Sequence, residues 1–236
     1  MRRVRGGFAR LADGVRALAQ ATPRPRLVAR SVVQRANAAV LAGTVRAVAQ
    51  AGFDAVSFLA ADLSSPAFNR PQPWDAGRAA EVAVPAAELP ALAAAIQRVS
   101  SECRDLLARG FVEGGRASLE RVHAYYAAAA GLGPFPPVRC NAPWVSAVLE
   151  PDGALRPCFF LPAYGTLDRR LDLAINTPSA VAFRRGLDVA SHPTCRRCVC
   201  SLHLPDGADM AGIARPEPAR ASPAPQADSR VPASDA

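Results

Sequence analysis

Leu27-Val28-Ala29-Arg30-Ser31-Val32-Val33 and Ala55-Val56-Ser57-Phe58-Leu59-Ala60 are two short runs rich in β-branched and apolar residues. Neither alternates cleanly between apolar and polar, so each reads as a strand buried on both faces. Between them Val40, Leu41, Thr44, Val45 and Val48 recur at helical spacing behind Asn37, which can cap that helix, and Gly52 closes it. Strand, helix, strand in this order is a βαβ unit with parallel strands. Only about two such strands are offered, and a parallel sheet needs more than that to cover both its faces.

Upstream, Phe8, Leu11, Val15 and Leu18 predict an amphipathic helix over 7–20, broken by Thr22-Pro23-Arg24-Pro25. Downstream, residues 64–80 form a Pro-rich loop holding Phe68, Asn69, Arg70 and Trp74. Leu92, Ile96, Val99, Cys103 and Leu106 then place one apolar stripe on a helix over 89–107, with Cys103 as a small core residue. A further helix is expected over 119–130, and Gly131 to Pro137 is a linker. Trp144 to Leu149 and Ala154 to Phe160 flank Pro151-Asp152-Gly153, a hairpin signal that sets Cys158 opposite Val145. Thr177 to Leu187 reads as a short helix. After His203 the chain turns to Pro, Ala, Ser, Asp and Arg, a composition expected to stay disordered.

The chemistry-bearing residues are cysteines. Cys140, Cys158, Cys195 and Cys198 stand at Cys-x17-Cys-x36-Cys-x2-Cys, with Cys200 just behind. Thiolates at such spacing suit zinc or an iron–sulfur cluster, and ordinary packing cysteines are the third reading. His192 and His203 flank the set and are not needed as ligands. The chain carries 28 Lys+Arg against 20 Asp+Glu, but the bases are scattered singly without interleaved aromatics, which argues against nucleic acid as a partner. No apolar run reaches the roughly 18 residues of a membrane span, and the basic start at Met1-Arg2-Arg3 lacks the apolar stretch of a signal peptide. A cytoplasmic location without membrane partners follows as an expectation, and there clustered cysteines are usually ligands or reactive groups.

Cys140-Asn141-Ala142-Pro143-Trp144, the Asp152-Gly153 turn, Pro157-Cys158-Phe159, Tyr164-Gly165-Thr166-Leu167, Phe183-Arg184 and the Cys195/Cys198 pair together resemble the C-terminal SPASM/twitch extension of radical SAM enzymes. Val28 to Val33 with Asn37, and Ala55 to Leu59, resemble late strands of the barrel of that family. The resemblance implies an α/β fold: the C-terminal part of a partial (β/α)6 barrel in 1–80, a helical bridge in 81–137, a small SPASM/twitch hairpin-plus-helix domain in 138–203, and a tail in 204–236. It implies an auxiliary [4Fe–4S] cluster on Cys140, Cys158, Cys195 and Cys198, and S-adenosyl-L-methionine contacts from Arg30, Ser31 and Asn37. The Cys-x3-Cys-x2-Cys motif that holds the catalytic cluster of the family is absent, as are the first barrel strands. The resemblance therefore implies the C-terminal half of an enzyme of 5′-deoxyadenosyl-radical chemistry, not competent alone. Its expected partners are a separately encoded barrel half, an electron donor and an unknown small-molecule or peptide substrate. The alternative is a non-catalytic iron–sulfur or structural zinc module.

Overall fold

The computed structural model describes residues 5–67, 70, 72–168 and 170–204. Phe68 and Asn69 of the Pro-rich loop, and all but the first residue of the 204–236 tail, lie outside the described residues.

Helix α1 spans Gly7–Ala19 and turns only Val15 inward. Its predicted apolar stripe is otherwise uncovered, with Phe8, Leu11 and Leu18 exposed. Strand β1 (Val28–Val33) pairs in parallel with β2 (Ala55–Ala60), in register from Val28↔Ala55 to Val33↔Ala60. A single-turn 3-10 helix at Ala38–Val40 leads into α2 (Leu41–Gln50), which makes the crossover. Gly52 ends the crossover at φ 89, a left-handed conformation that glycine adopts without a Cβ clash. Asp54 ties the start of β2 to β1, its carboxylate accepting from the Leu27 backbone N–H at 2.7 Å.

Helix α3 (Ala76–Val82) is capped by Asp75, which accepts from the Arg78 backbone N–H at 2.8 Å. Helix α4 (Leu89–Glu102) follows, then α5 (Arg104–Ala108) and α6 (Gly115–Ala129). The predicted long helix over 89–107 is two helices, because Cys103 at φ −119 breaks the α4 geometry. Cys103 is nevertheless a core residue, as its place in the stripe predicts.

The α/β core lies between one face of the sheet and α2, α4 and α6. Strand residues alternate between faces, and Val33, Val56, Phe58 and Ala60 share a buried cluster with Leu41, Val45, Leu92, Ile96, Val99, Leu119 and Val122. Tyr126 locks this layer to the sheet: its buried hydroxyl donates to Val33 O at 2.5 Å and accepts from Ala61 N at 3.0 Å. The stretch Ala76–Glu102 is long and apolar enough to cross a membrane, contrary to the sequence expectation. Its apolar residues Leu89, Leu92, Ile96 and Val99 are instead buried in this core, as in the central helix of a folded domain.

The remaining elements are short. Helix α7 (Ala142–Val145) occupies positions expected to begin a strand. Strands β3 (Val148–Leu149), β4 (Ala154–Arg156) and β5 (Gly165–Thr166) form an antiparallel sheet, and the third strand was not anticipated. The hairpin register is Val148↔Arg156 and Leu149↔Leu155, one residue from the expected pairing. Gly153 at φ 86 makes the turn, and Ala154 N donates to Asp152 Oδ1. Helices α8 (Leu171–Ala174), α9 (Pro178–Gly186) and α10 (Pro193–Arg196) complete the described chain. Leu155, Tyr164, Ala174 and Ala180 make a separate small cluster.

The barrel expectation is corrected by these sheets. Among the described residues there is one two-stranded parallel sheet and one three-stranded antiparallel sheet, both open. Beyond β2 the parallel sheet continues only as a single bridge, Val56↔Val112, where Val56 N donates to Phe111 O and Glu113 N donates to Val56 O. Two strands and a bridge cannot curl into a barrel, whose closure needs strand number, tilt and stagger to agree.

Candidate thiol site

The cysteine cavity is assembled from three stretches of backbone. Cys140 precedes α7, Cys158 follows β4, and Cys195, Cys198 and Cys200 lie in and after α10. Asn141 joins the first stretch to the last. Its backbone N–H donates to Leu202 O at 2.8 Å, its Nδ2 to Leu204 O at 2.6 Å, and its Oδ1 accepts from Leu204 N at 2.9 Å. His192 caps α10 by accepting from Thr194 N at Nδ1, 3.2 Å, so it is a structural residue there. Val199 packs on the α/β core, which brings Cys200 to the sheet.

All five cysteines of this region line one small cavity with Val138, Pro143, Phe160 and Leu161. Each is half-buried and none is in a disulfide. Burial, opposed only in part by the Cys200 backbone hydrogen bond, pushes the Cys198 thiol up to about 12. Burial and then the neighbouring Cys158 push Cys195 up to about 11, and burial raises Cys158. These thiols are held protonated at neutral pH, since desolvation disfavours the thiolate and neighbouring sulfurs repel one another as anions. Cys140 Sγ accepts from Ala142 N at 3.5 Å, and Cys198 Sγ from Cys200 N at 3.3 Å.

Cys200 differs from the others. Its sulfur accepts from Arg30 Nη1 at 3.1 Å, and it also lines a second, larger cavity of about 190 Å³. That cavity lies against β1 and β2, where Arg30 and Ser57 are register partners. Ser118 and Arg121 of α6 line it too. Cys200 thus stands between an interior thiol pocket and a solvent-reachable one.

The metal expectation does not survive this geometry. Among the described residues no group of three or more His, Cys, Asp or Glu side chains is placed to hold a metal ion. The thiol cavity has about 20 Å³ of open space, room for roughly one water molecule. The [4Fe–4S] assignment and the zinc alternative are both corrected, and with them the radical SAM/SPASM reading that rested on the ligand set. Among the described residues no metal-holding group supports the expected radical enzyme.

The expected S-adenosyl-L-methionine contacts separate in the same way. Arg30 reaches the larger cavity. Ser31 is the register partner of Phe58, on the opposite face of the sheet from Arg30. Asn37 makes no side-chain cap to the helix and instead clamps its own loop: Oδ1 accepts from Gln34 N at 2.7 Å and Nδ2 donates to Val32 O at 3.0 Å. The three residues thus stand on two faces of the sheet and in a loop. Sequence reading missed Ser57 and Arg121. The Arg30↔Ser57 pairing was available from the two strand runs, but Arg121 carries no local signal, because its role depends on how α6 packs.

Comparison with protein-family models, with curated proteins and with solved structures gives no match for this chain.

Proposed function

We propose that this protein is a redox-responsive thiol protein that exchanges with a low-molecular-weight disulfide through Cys200 and Cys198. The observation that carries the reading is the position of Cys200, with a guanidinium against its sulfur and an open cavity on one side and four further thiols on the other. Electropositive, partly accessible surroundings are where a cysteine reacts, whereas buried thiols are inert until a neighbour presents a disulfide to them. Cys198 is the natural second thiol, since its sulfur lies 3.3 Å from the Cys200 backbone nitrogen.

The steps balance without a further reagent. Cys200 sulfur attacks one sulfur of the small disulfide, the S–S bond breaks, and one thiol leaves with the proton. Cys198 then attacks Cys200 sulfur as its proton passes to the departing sulfur, the mixed disulfide breaks, and the second small thiol leaves. Two protein thiols are oxidised to one disulfide as the small disulfide is reduced to two thiols. A cytoplasmic location fits this role, because free thiols persist in a reducing compartment.

The test is quantitative thiol labelling with mass spectrometry after exposure of the reduced chain to a small disulfide. The expected result is loss of two labelled cysteines, mapped to Cys198 and Cys200. Cys200→Ser should abolish the loss, and Cys198→Ser should stop it at the mixed disulfide. Retention of all free thiols, or an equal rate in Cys200→Ser, overturns the reading.

A further inference from the structure

We infer that the disulfide taken by this site carries acidic groups, and that Arg30, Arg121 and Ser57 hold them in the larger cavity; this rests on the thiol-exchange reading above. The cavity is lined by two guanidinium groups, and among its described lining residues there is no carboxylate. Arg121 is anchored by Nη1 donating to Pro137 O at 2.7 Å, and Arg30 by its bond to Cys200 sulfur. Neither makes a carboxylate ion pair among the described residues. Each guanidinium has five N–H donors, so both retain donors for a ligand.

Ser57 adds an independent sign of a missing partner. Its hydroxyl oxygen is buried and has no hydrogen-bond partner among the described residues, although Ser57 lines the same cavity. A buried hydroxyl without a partner is costly, because it gives up water and gains nothing, and is rarely left so unless something completes it. Ser118 lines the cavity too, but its hydroxyl already donates to Gly115 O. One orphan hydroxyl sharing a cavity with two cations is a site for an oxyanion, and Cys200 lines the same cavity.

The space limits the ligand. About 190 Å³ admits roughly six to ten non-hydrogen atoms, the size of a short-chain acid with its sulfur. A carboxylate bound by the arginines would present an S–S bond to Cys200. A bulky peptide disulfide would not enter whole.

The experiment compares two small disulfides of opposite charge on the reduced full-length chain: dithiodiglycolate, which is anionic, and cystamine, which is cationic. At low salt and neutral pH, dithiodiglycolate should consume the Cys198/Cys200 pair about ten-fold faster or more. Arg121→Gln, which leaves the Arg30–Cys200 contact in place, should remove most of that preference. Inorganic phosphate should slow dithiodiglycolate and not cystamine. Equal rates for the two probes in the unaltered protein, or a preference unchanged by Arg121→Gln, overturn the acidic-ligand inference while leaving thiol exchange standing. If neither probe oxidises the pair, the exchange reading itself fails.

Discussion

The α/β half and the cysteine-bearing half of this chain are held together by different means. The first buries Leu41, Val45, Leu92, Val99, Leu119 and Tyr126 almost completely, in helices of up to fifteen residues packed on one sheet. The second has strands of two or three residues and a cluster whose buried members, among the described residues, are Leu155, Tyr164, Ala174 and Ala180. Small cores rarely supply much stability on their own and depend on cross-links or docking. Here the docking is visible: Val199 and Phe135 pack on the first core, and Asn141 pins the last described residues. The half that carries the chemistry is thus the less self-sufficient one, which lets its thiols change state without unmaking the sheet.

The sharpest test of that contrast is truncation in the larger core. Leu92 is 1 % exposed between α4 and its neighbours, so Leu92→Ala should cost about 3–5 kcal/mol from lost transfer energy and the residual cavity. Denaturant titration should report this loss. Oxidation of the thiol pair should proceed at a nearly unchanged rate while the variant remains folded. If thiol reactivity rises in proportion to the destabilisation, the two halves unfold as one cooperative unit.

Leu155→Ala is the matching cut in the smaller cluster. Leu155 is fully buried, yet few apolar neighbours surround it and the site can collapse. The expected cost is about 2–3 kcal/mol, expressed locally as faster hydrogen exchange in β3–β5 and faster alkylation of Cys158. Protection in α4 and α6 should be unaltered. Loss of protection in all elements together would break the comparison.

Tyr126→Phe probes a single polar lock in the larger half. The change leaves Val33 O without its donor and Ala61 N without its acceptor, both in buried surroundings. The expected loss is about 1–3 kcal/mol, read by denaturant midpoint with an unchanged slope.

Most of the larger half was legible from residue pattern. The βαβ unit follows from two β-branched runs and a 3.6-residue period between them. The break at Cys103 was not legible, since a continuous apolar stripe does not reveal a local change in backbone angle. In the smaller half the turn at Pro151-Asp152-Gly153 was readable because glycine there is required by φ 86. The register was not, because strands this short have almost no alternation to pin it. The cysteines were found by spacing, and their convergence on one cavity agrees with that spacing. Whether sulfurs enclose a metal-sized space is decided by side-chain placement, which spacing does not contain. Arg30 was singled out, but its actual neighbour, Cys200, lies 170 positions away.

The gentlest probe of the contrast is alkaline pH. Cys195 and Cys198 are raised to about 11 and about 12 by burial, against an ordinary thiol near 8.5 in an unfolded chain. Between those values the unfolded chain has released protons that the folded one still holds. Stability from burying these thiols is therefore complete below the unfolded value and lost as pH rises through the folded ones. The smaller half should loosen first above about pH 9, seen as rising alkylation of Cys195 and Cys198 while tyrosine and helix signals of the larger half persist. Tyr126, raised to about 12 by burial, pushes the same response in the larger half to higher pH, because its ordinary value near 10 is where the unfolded phenol begins to ionise. Two separate transitions, thiol region first, would confirm that the site rests on its own weaker support. A single transition would mean that Val199 and Asn141 couple the halves tightly enough for the thiols to report on the whole fold.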